Sequence, residues 1–263
     1  MFINVSDPSI FLLKIPNLTS LLKTYHKMDV DSTYLKVTNN LRVISFDSGE
    51  KSPRSNLVKK AINHLLNTGN KVVVFAEINP AKTMSYFRLL PSLITSQVLS
   101  LGSYHRYLNF AKRVRSTLEE FYYDQECSKT LVYLLDALRE LLAVCITSLL
   151  AKGYYIILDR SFYSTLAYQC YAMHASKTDA TKLAQSFNPG LSVFVLSEID
   201  LPISSKTPLY RQWASLDQKV KTCFRSIYEV KKAKGAKVHL YSDSPDADEA
   251  FSKYLTAYLS NEL

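Results

Sequence analysis

The sequence predicts an α/β protein with a doubly wound, five-stranded parallel sheet flanked by helices. Five short runs rich in β-branched and aromatic residues recur at 41–47, 71–77, 154–160, 191–197 and 237–243. The runs are almost continuously apolar rather than alternating, which is typical of strands buried on both faces of a parallel sheet. Helical patterns separate them, and this alternation of strands and helices favours the doubly wound arrangement.

Four segments carry apolar residues at helical spacing. The first ends at an Asn-Thr-Gly-Asn turn, the second at Gly153 and the third at Gly235, and glycine commonly ends helices. The fourth is predicted to begin with Ser244 as its N-cap, followed by Pro245 and acidic residues in its first turn. The four segments are 56–70, 128–153, 216–235 and 244–259.

The charge balance limits the class of partner. The 263 residues include 32 Lys and Arg against 23 Asp and Glu, a net charge of +9. A basic excess favours nucleotides, nucleic acid or acidic protein surfaces, although an ordinary solvated basic surface has the same composition. The sequence also leaves open whether the protein forms a homodimer.

Cysteine usage and hydropathy bear on location. The four cysteines are widely spaced, with no CxxC pair and no Cys/His cluster, so neither a disulfide framework nor a zinc site is indicated. No apolar run approaches the roughly 20 residues that a membrane span needs, and the start of the chain lacks the pattern of a secretory signal. We therefore expect an intracellular protein, cytoplasmic or nuclear, with no membrane association.

Two stretches lie outside the alternation of strands and helices. Residues 1–40 are expected to form an N-terminal extension to a main domain at 41–263. Residues 80–125 form a long insertion that contains the basic and aromatic run YHRYLNFAKRVRS at 104–116. Such a run could bind a nucleic-acid backbone and stack bases. The alternative is an amphipathic helix with its aromatic side chains inward and its cations outward.

The candidate chemistry follows the third predicted strand. Ligands of open parallel sheets bind beyond the carboxyl ends of the strands. Asp159 and Arg160 end this strand, and arginine binds phosphate through paired hydrogen bonds. Ser164 and Tyr168 are four residues apart, so they share one face of the following helix. The alternative interpretation is an internal ion pair at a strand end, beside a helix cap.

The run DRSFYSTLAYQ at 159–169 resembles the Asp-Arg-Tyr-x-x-Ser-x-x-Ala-Tyr-Gln signature of thymidylate kinases, with Ser161 in place of the tyrosine. Arg139 lies twenty residues before Asp159, as an arginine does in that family, and Gly153 takes the place of the family's intervening glycine. The resemblance covers 41–77 and 124–260 and implies a P-loop kinase-like fold.

The stretch FDSGEKSPRSNL at 46–57 stands where thymidylate kinases have a glycine-rich phosphate loop, the Walker A loop. Against the family's pattern, Ser48 and Pro53 replace glycines and Arg54 replaces the lysine. Such a loop points backbone N–H groups at the anion, whereas Pro53 has no N–H and Ser48 adds a side chain. Loss of the lysine's role alone would slow phosphoryl transfer by about 10²–10³-fold.

The resemblance also implies roles for individual residues. Arg160 would grip the acceptor phosphate, Arg139 would contact the base, and Glu50 the sugar hydroxyl. ATP and Mg²⁺ are the implied cofactors if the protein is active, with Ser55 and Asp159 as the metal-binding residues. The complete set is catalytic Lys51, Arg54 and Asp159, and nucleotide-binding Glu50, Ser55, Arg139, Arg160, Ser164 and Tyr168.

Further departures from the family erode the ATP side and leave the acceptor side half kept. The arginine after the second strand falls on Ala76, the thymine-stacking aromatic on Leu135, and the arginine-rich lid is reduced to Lys206 and Arg211. We therefore expect a divergent member that binds a nucleotide or phosphate, with weak or lost ATP-dependent phosphorylation of dTMP. The alternatives are an active nucleoside monophosphate kinase, converting ATP and dTMP to ADP and dTDP, and a nucleic-acid or protein-binding module that uses residues 80–125.

Overall fold

The structure, a computed structural model, describes residues 37–49, 52–121, 128–172, 187–196, 216–242 and 244–260. These ranges form a five-stranded, all-parallel sheet flanked by eight helices, so the predicted α/β fold class is confirmed. The strands are β1 (Val37–Ser48), β2 (Val72–Ala76), β3 (Tyr155–Asp159), β4 (Phe187–Leu196) and β5 (Val238–Ser242).

The helices lie between and after the strands. A π-helical segment, Leu166–Ala172, continues the sixth helix, and such segments often occur at functional sites. The helices are α1 (Arg54–Asn67), α2 (Pro80–Phe87), α3 (Ser92–Leu99), α4 (Gly102–Phe121), α5 (Ser128–Ala151), α6 (Phe162–Thr165), α7 (Asp217–Ala233) and α8 (Ala247–Leu259). Within the described chain, no helix has both the length and the apolar character that crossing a bilayer requires.

The strand order β2-β3-β1-β4-β5 places β1 at the centre of the sheet. Phe46 of β1 lies opposite Asp159 of β3 on one side and Val193 of β4 on the other. The chain leaves β1 towards β2 on one side and later crosses to β4 on the other side. The carboxyl end of β1 is therefore a topological switch point, where ligands of such sheets bind. This layout is consistent with a P-loop kinase-like fold.

Two strands begin earlier than their apolar runs predict. β1 begins at Val37, within the stretch assigned to the N-terminal extension, and β4 begins at Phe187 rather than at 191. The two early segments of β1 and β4 pair with each other, with Val37 opposite Phe187. Each segment therefore supplies backbone hydrogen-bonding partners to the other. Residues 1–36 lie outside the described part of the chain.

The predicted cap of the last helix is wrong. α8 begins at Ala247, with Asp246 at the N-cap position and no capping bond from its side chain. Ser244 lies in the turn before the helix, where its carbonyl oxygen accepts a hydrogen bond from the Ala247 N–H at 3.0 Å. Ser244 therefore stabilises the turn through its backbone carbonyl group and does not cap the helix. The acidic residues Asp248 and Glu249 lie in the first helical turn.

The described part of the 80–125 insertion folds into α2, α3 and α4. On α4, Tyr104, Tyr107 and Phe110 are buried against the sheet. The hydroxyl of Tyr107 donates to the carbonyl oxygen of Glu77 at 2.9 Å. The exposed residues on this helix include His105, Arg106, Lys112 and Arg113. The amphipathic interpretation is confirmed, and the buried rings cannot stack nucleic-acid bases.

Candidate functional site

The carboxylate of Asp159, at the end of β3, lies at the centre of the candidate site. Its Oδ1 accepts a hydrogen bond from Nε of Arg54 at 2.5 Å. Its Oδ2 accepts from the hydroxyl of Tyr86 at 2.6 Å and lies 2.6 Å from Nζ of Lys82. Burial alone would raise the pKa of Asp159, but Arg54 and Lys82 outweigh burial and hold the pKa below its ordinary value. The carboxylate is therefore ionised and paired at both oxygens.

Lys82, on the first turn of α2, is the most accessible group around this carboxylate. About a quarter of its side chain (26%) is exposed, whereas the Asp159 side chain is 1% exposed. Burial and the nearby Arg54 lower the pKa of Lys82, and the attraction of Asp159 opposes that shift. Lys82 thus brings a positive charge from the buried cluster towards solvent.

The side chain of Arg54 fills the space between the loop after β1 and the end of β3. Its Nη1 donates to Oγ of Ser48 at 2.5 Å while its Nε holds Asp159. The carbonyl oxygen of Gly49 accepts from the hydroxyls of Ser48 at 2.8 Å and Ser52 at 3.1 Å. Polar groups of this loop are therefore bonded to one another, and a phosphate entering it must replace these contacts.

Gly49 also lies tightly against the start of α7. A Cβ added there would come within 2.0 Å of Oδ1 of Asp217, so a side chain cannot be accommodated without movement. Asp217 is buried and forms an ion pair with Lys221 at 2.9 Å. A carboxylate this close to the loop opposes an incoming phosphate by like-charge repulsion.

Asp47, buried in β1, joins that strand to α6. Its Oδ1 accepts from the backbone N–H of Ser161 at 2.8 Å and from the hydroxyl of Ser164 at 2.7 Å. Its Oδ2 accepts from the hydroxyl of Ser161 at 2.6 Å. Ser161 is also the N-cap of α6. The serine that departs from the thymidylate kinase signature therefore has a structural role, because it ties the end of β3 to Asp47.

Arg160 has a left-handed backbone conformation, with φ of 81°. Among the described residues other than glycine, it alone has a positive φ. Such conformations cost of the order of 1 kcal/mol and collect at functional sites. Its Nη1 donates to the carbonyl oxygen of Ser48 at 3.1 Å and to Oγ of Ser164 at 3.3 Å. The guanidinium carbon lies 5.0 Å from the centroid of the Tyr168 ring, a cation–π distance.

Arg139, on α5, forms a second buried ion pair next to this cluster. Its Nε faces the carboxylate of Glu77, its Nη2 donates to the Thr165 hydroxyl, and its guanidinium carbon lies 5.6 Å from the Phe162 ring centroid. Burial raises the pKa of Glu77, and Arg139 counteracts that shift. Because protein groups already engage Arg139, contact with a ligand's base would have to replace them.

The donor set does not fit the Mg²⁺ ion that the resemblance implies. Magnesium needs close to octahedral oxygen coordination, whereas both oxygens of Asp159 face positive groups, Arg54 and Lys82. Ser55 is half-buried on the first turn of α1 and adds only a neutral oxygen. Among the described residues, no group of three or more His, Cys, Asp and Glu is placed to hold a metal ion.

The structure brings most of the predicted site residues together at the carboxyl ends of β1 and β3. Those residues are Arg54, Ser55, Asp159, Arg160, Ser164 and Tyr168, with Arg139 beside them. Glu50 and Lys51 lie outside the described residues. Sequence reasoning missed Glu77, Lys82 and Tyr86. These three residues follow β2, whose carboxyl end lies at the same edge of the sheet. Their position after a predicted strand is the sequence feature that could have identified them.

Fold and site together define an α/β protein with a P-loop kinase-like layout and a buried cluster of charged residues at the carboxyl edge of its sheet. No protein-family model matches the chain, and no curated protein sequence does so either.

Proposed function

We propose that this protein is a divergent thymidylate kinase-like protein that binds a nucleoside monophosphate, dTMP or a similar phosphate-bearing anion, at this edge. We further propose that its ATP-dependent phosphorylation of dTMP is weak or lost. The observation that carries the proposal is the concentration of cations at this edge. Four of them, Arg54, Lys82, Arg139 and Arg160, lie among the buried carboxylates. Lys82 extends towards solvent from this poorly hydrated cluster, where a positive charge attracts an anion more strongly than it would in water.

Arg160 and Lys82 are the two groups best suited to the acceptor phosphate. Arg160 donates hydrogen bonds to the carbonyl oxygen of Ser48 and the hydroxyl oxygen of Ser164, which holds its guanidinium between the ends of β1 and β3. Its strained backbone directs it to the switch point of the sheet. Lys82 carries charge to the solvent-facing side of the cluster. Together they would place a phosphate monoester between β1, β3 and α2.

Weak or lost phosphoryl transfer is supported by the state of the loop after β1. Pro53 has no N–H to donate, and Arg54 is committed to Ser48 and Asp159. The Asp217 carboxylate, paired with Lys221, lies against Gly49 and narrows the loop. Each feature disfavours the β- and γ-phosphates of ATP, which a phosphate loop must surround with donors.

Thermal-shift and calorimetric titrations with dTMP and with ATP·Mg²⁺, each ligand separately, test this proposal. A ligand at a hundredfold excess over its Kd stabilises a protein by about 2.7 kcal/mol. We expect saturable stabilisation by dTMP or another nucleoside monophosphate and little by ATP·Mg²⁺. Arg160→Gln should abolish the effect, whereas Arg106→Gln, which removes an exposed arginine on α4, should leave it intact. Failure of AMP, GMP, CMP, UMP and dTMP alike to stabilise the protein would contradict the proposal.

A nucleic-acid-binding role remains the second candidate because cations on α4 face solvent. The exposed cations on this helix are Arg106, Lys112 and Arg113. Because the aromatic residues of the helix are buried, the only attraction it offers is that of these cations for the phosphates of a nucleic-acid backbone. Replacing all three by Gln should then reduce binding to DNA or RNA and flatten its dependence on salt. Absence of any salt-sensitive binding to single- or double-stranded DNA or RNA would remove this candidate.

A further inference from the structure

We propose that the protein has a second anion site, at the amino-terminal side of the sheet, which binds a small ligand bearing several phosphate charges. This site is independent of the one at the carboxyl edge. A cavity of about 340 Å³ lies there, within the size range of small-molecule sites. Its lining comes from β4, the start of β5, the last turn of α7 and the turn that follows α7, together with Leu41 of β1 and Tyr163 of α6.

Three lysines and no carboxylate line this cavity. They are Lys231, Lys234 and Lys237. In the part of the chain that the structure describes, none of them forms an ion pair. Other lysines of the protein do so, among them Lys60 with Asp248 and Lys253 with Glu249. Three like charges around one cavity repel each other, and a bound polyanion would remove that cost.

The lysines are not needed to cap the end of α7. The carbonyl oxygen of Lys231 already accepts from the N–H groups of Lys234 at 3.1 Å and Ala236 at 3.0 Å. The carbonyl oxygen of Lys232 accepts from the N–H of Gly235 at 3.0 Å. Because backbone donors satisfy these carbonyls, the ammonium groups remain available to a ligand.

Two of the ammonium groups are held in place by aromatic rings. Nζ of Lys231 lies 5.3 Å from the ring centroid of Tyr163, and Nζ of Lys237 lies 5.5 Å from that of Tyr258. Cation–π contacts of this kind orient a charge without neutralising it. Tyr163 also lines the cavity, so at Lys231 the ligand meets a cation that has already lost part of its conformational freedom, which lowers the entropic cost of binding.

The lining indicates the chemistry of the ligand. Lysine binds phosphate as a compact point charge, and several lysines around one cavity suit an ion with high charge in a small volume. Inorganic tripolyphosphate meets both conditions and is the probe for the test. A planar monocarboxylate would leave most of the positive charge uncompensated, so acetate serves as the negative control.

Isothermal titration calorimetry at constant ionic strength tests the proposal. Wild-type protein should bind tripolyphosphate, and the triple variant Lys231→Gln, Lys234→Gln, Lys237→Gln should lose about tenfold or more in affinity for this site. The matched control is Lys59→Gln, Lys152→Gln, Lys219→Gln. It removes the same charge from exposed positions outside the cavity lining and should bind as wild type does. Circular dichroism melting of both variants establishes that they are folded.

Equal affinity in the wild type and the cavity variant would overturn the proposal, and so would an equal loss in the two triple variants, which would indicate attraction by net charge alone. Arg160→Gln separates this site from the carboxyl-edge site. It should leave the tripolyphosphate affinity that depends on the three lysines unchanged, even where dTMP binding is lost. Failure of one proposal is therefore distinguishable from failure of the other.

Discussion

At the scale of single residues, Arg54 is the most consequential side chain of the candidate site. The resemblance to thymidylate kinases aligns it with the lysine of their phosphate loop, but its guanidinium binds Ser48 and Asp159. It is 8% exposed and Asp159 is 2% exposed, so the pair is shielded from water. The residue that would serve catalysis in the resembling family therefore stabilises the end of β3 here.

Arg54→Gln should lower the free energy of unfolding by about 3 kcal/mol, since removing one partner leaves a buried carboxylate with less compensation. Chemical denaturation at neutral pH measures the loss. The matched control is Lys253→Gln, whose ion pair with Glu249 is exposed on both sides (76% and 67%) and should contribute no more than about 0.5 kcal/mol. Equal losses in the two variants would show that the Arg54–Asp159 pair adds no stability.

Asp136, next to the Arg139–Glu77 pair, gives a prediction about pH. Burial raises its pKa to about 6; Arg139 opposes this shift and Glu77 adds to it. Because the folded-state pKa lies above the unfolded value, the group's contribution to stability is complete below about pH 4 and is lost as pH rises through about 6. Asp136→Asn cannot ionise and should escape this loss.

We therefore expect Asp136→Asn to match the wild type near pH 4 and to exceed its free energy of unfolding by about 3 kcal/mol at pH 8. Denaturant titrations across this range provide the measurement. Asp246→Asn, at an exposed position before α8, serves as the control and should leave the pH profile unchanged. A variant that is no more stable than the wild type at pH 8 would show that Asp136 ionises at no cost to the fold.

At the scale of elements, the pairing of β1 with β4 depends on close backbone approach at Gly190. A Cβ at Gly190 would lie 2.3 Å from the carbonyl oxygen of Asn40, a backbone atom that cannot turn away. The register between the two strands shifts around Asn40, which is where the approach is closest. A glycine at position 190 is thus required by strand packing.

Gly190→Ala should destabilise the protein by about 2–3 kcal/mol, because the added methyl group forces the two strands apart. Gly102→Ala is the control, since nothing lies within 4 Å of the Cβ it would add, at the start of α4. That control should be neutral or slightly stabilising. Thermal and denaturant unfolding measure both, and an unchanged stability of Gly190→Ala would mean that β1 and β4 separate there at little cost.

At the scale of the whole molecule, transfer of a phosphoryl group depends on the loop after β1 and on the elements packed against it. Ser48→Gly, Pro53→Gly and Arg54→Lys together restore the glycines and the lysine of a phosphate loop. We expect this triple variant to bind ATP·Mg²⁺ more tightly than the wild type, because backbone donors and a point charge become available. Calorimetry measures the change, provided that the variant remains folded without the Arg54–Asp159 bond.

The matching measurement on the wild type is turnover with ATP, Mg²⁺ and dTMP. We expect a rate well below the ordinary enzyme range, which begins at about 1 s⁻¹. A turnover of that size or more would show that Arg54 can leave Asp159 and take the role of the lysine. The protein would then be the active nucleoside monophosphate kinase that was the alternative interpretation.

The sequence by itself determined the five strands, the helices α1, α5, α7 and α8, and the edge of the sheet where the candidate chemistry lies. Each of these strands contains an almost continuous apolar run, and each of these helices repeats its apolar positions at helical spacing, so neighbours in the chain are enough to predict them. Asp159 and Arg160 could be placed at the carboxyl edge because they directly follow such a run. The early segments of β1 and β4, which begin at Val37 and Phe187, could not be predicted from local sequence, because each forms a strand only by pairing with the other.

Only the tertiary structure decided which charges meet. Asp159 is bound by Arg54, 105 residues away in the chain, and by Tyr86, 73 residues away, and no local pattern relates these positions. The strand order with β1 at the centre brings the ends of β1, β2 and β3 to one edge, and the fold buries them together. Pairing, burial and pKa are properties of the space around a group, and that space is built by segments that are distant in sequence.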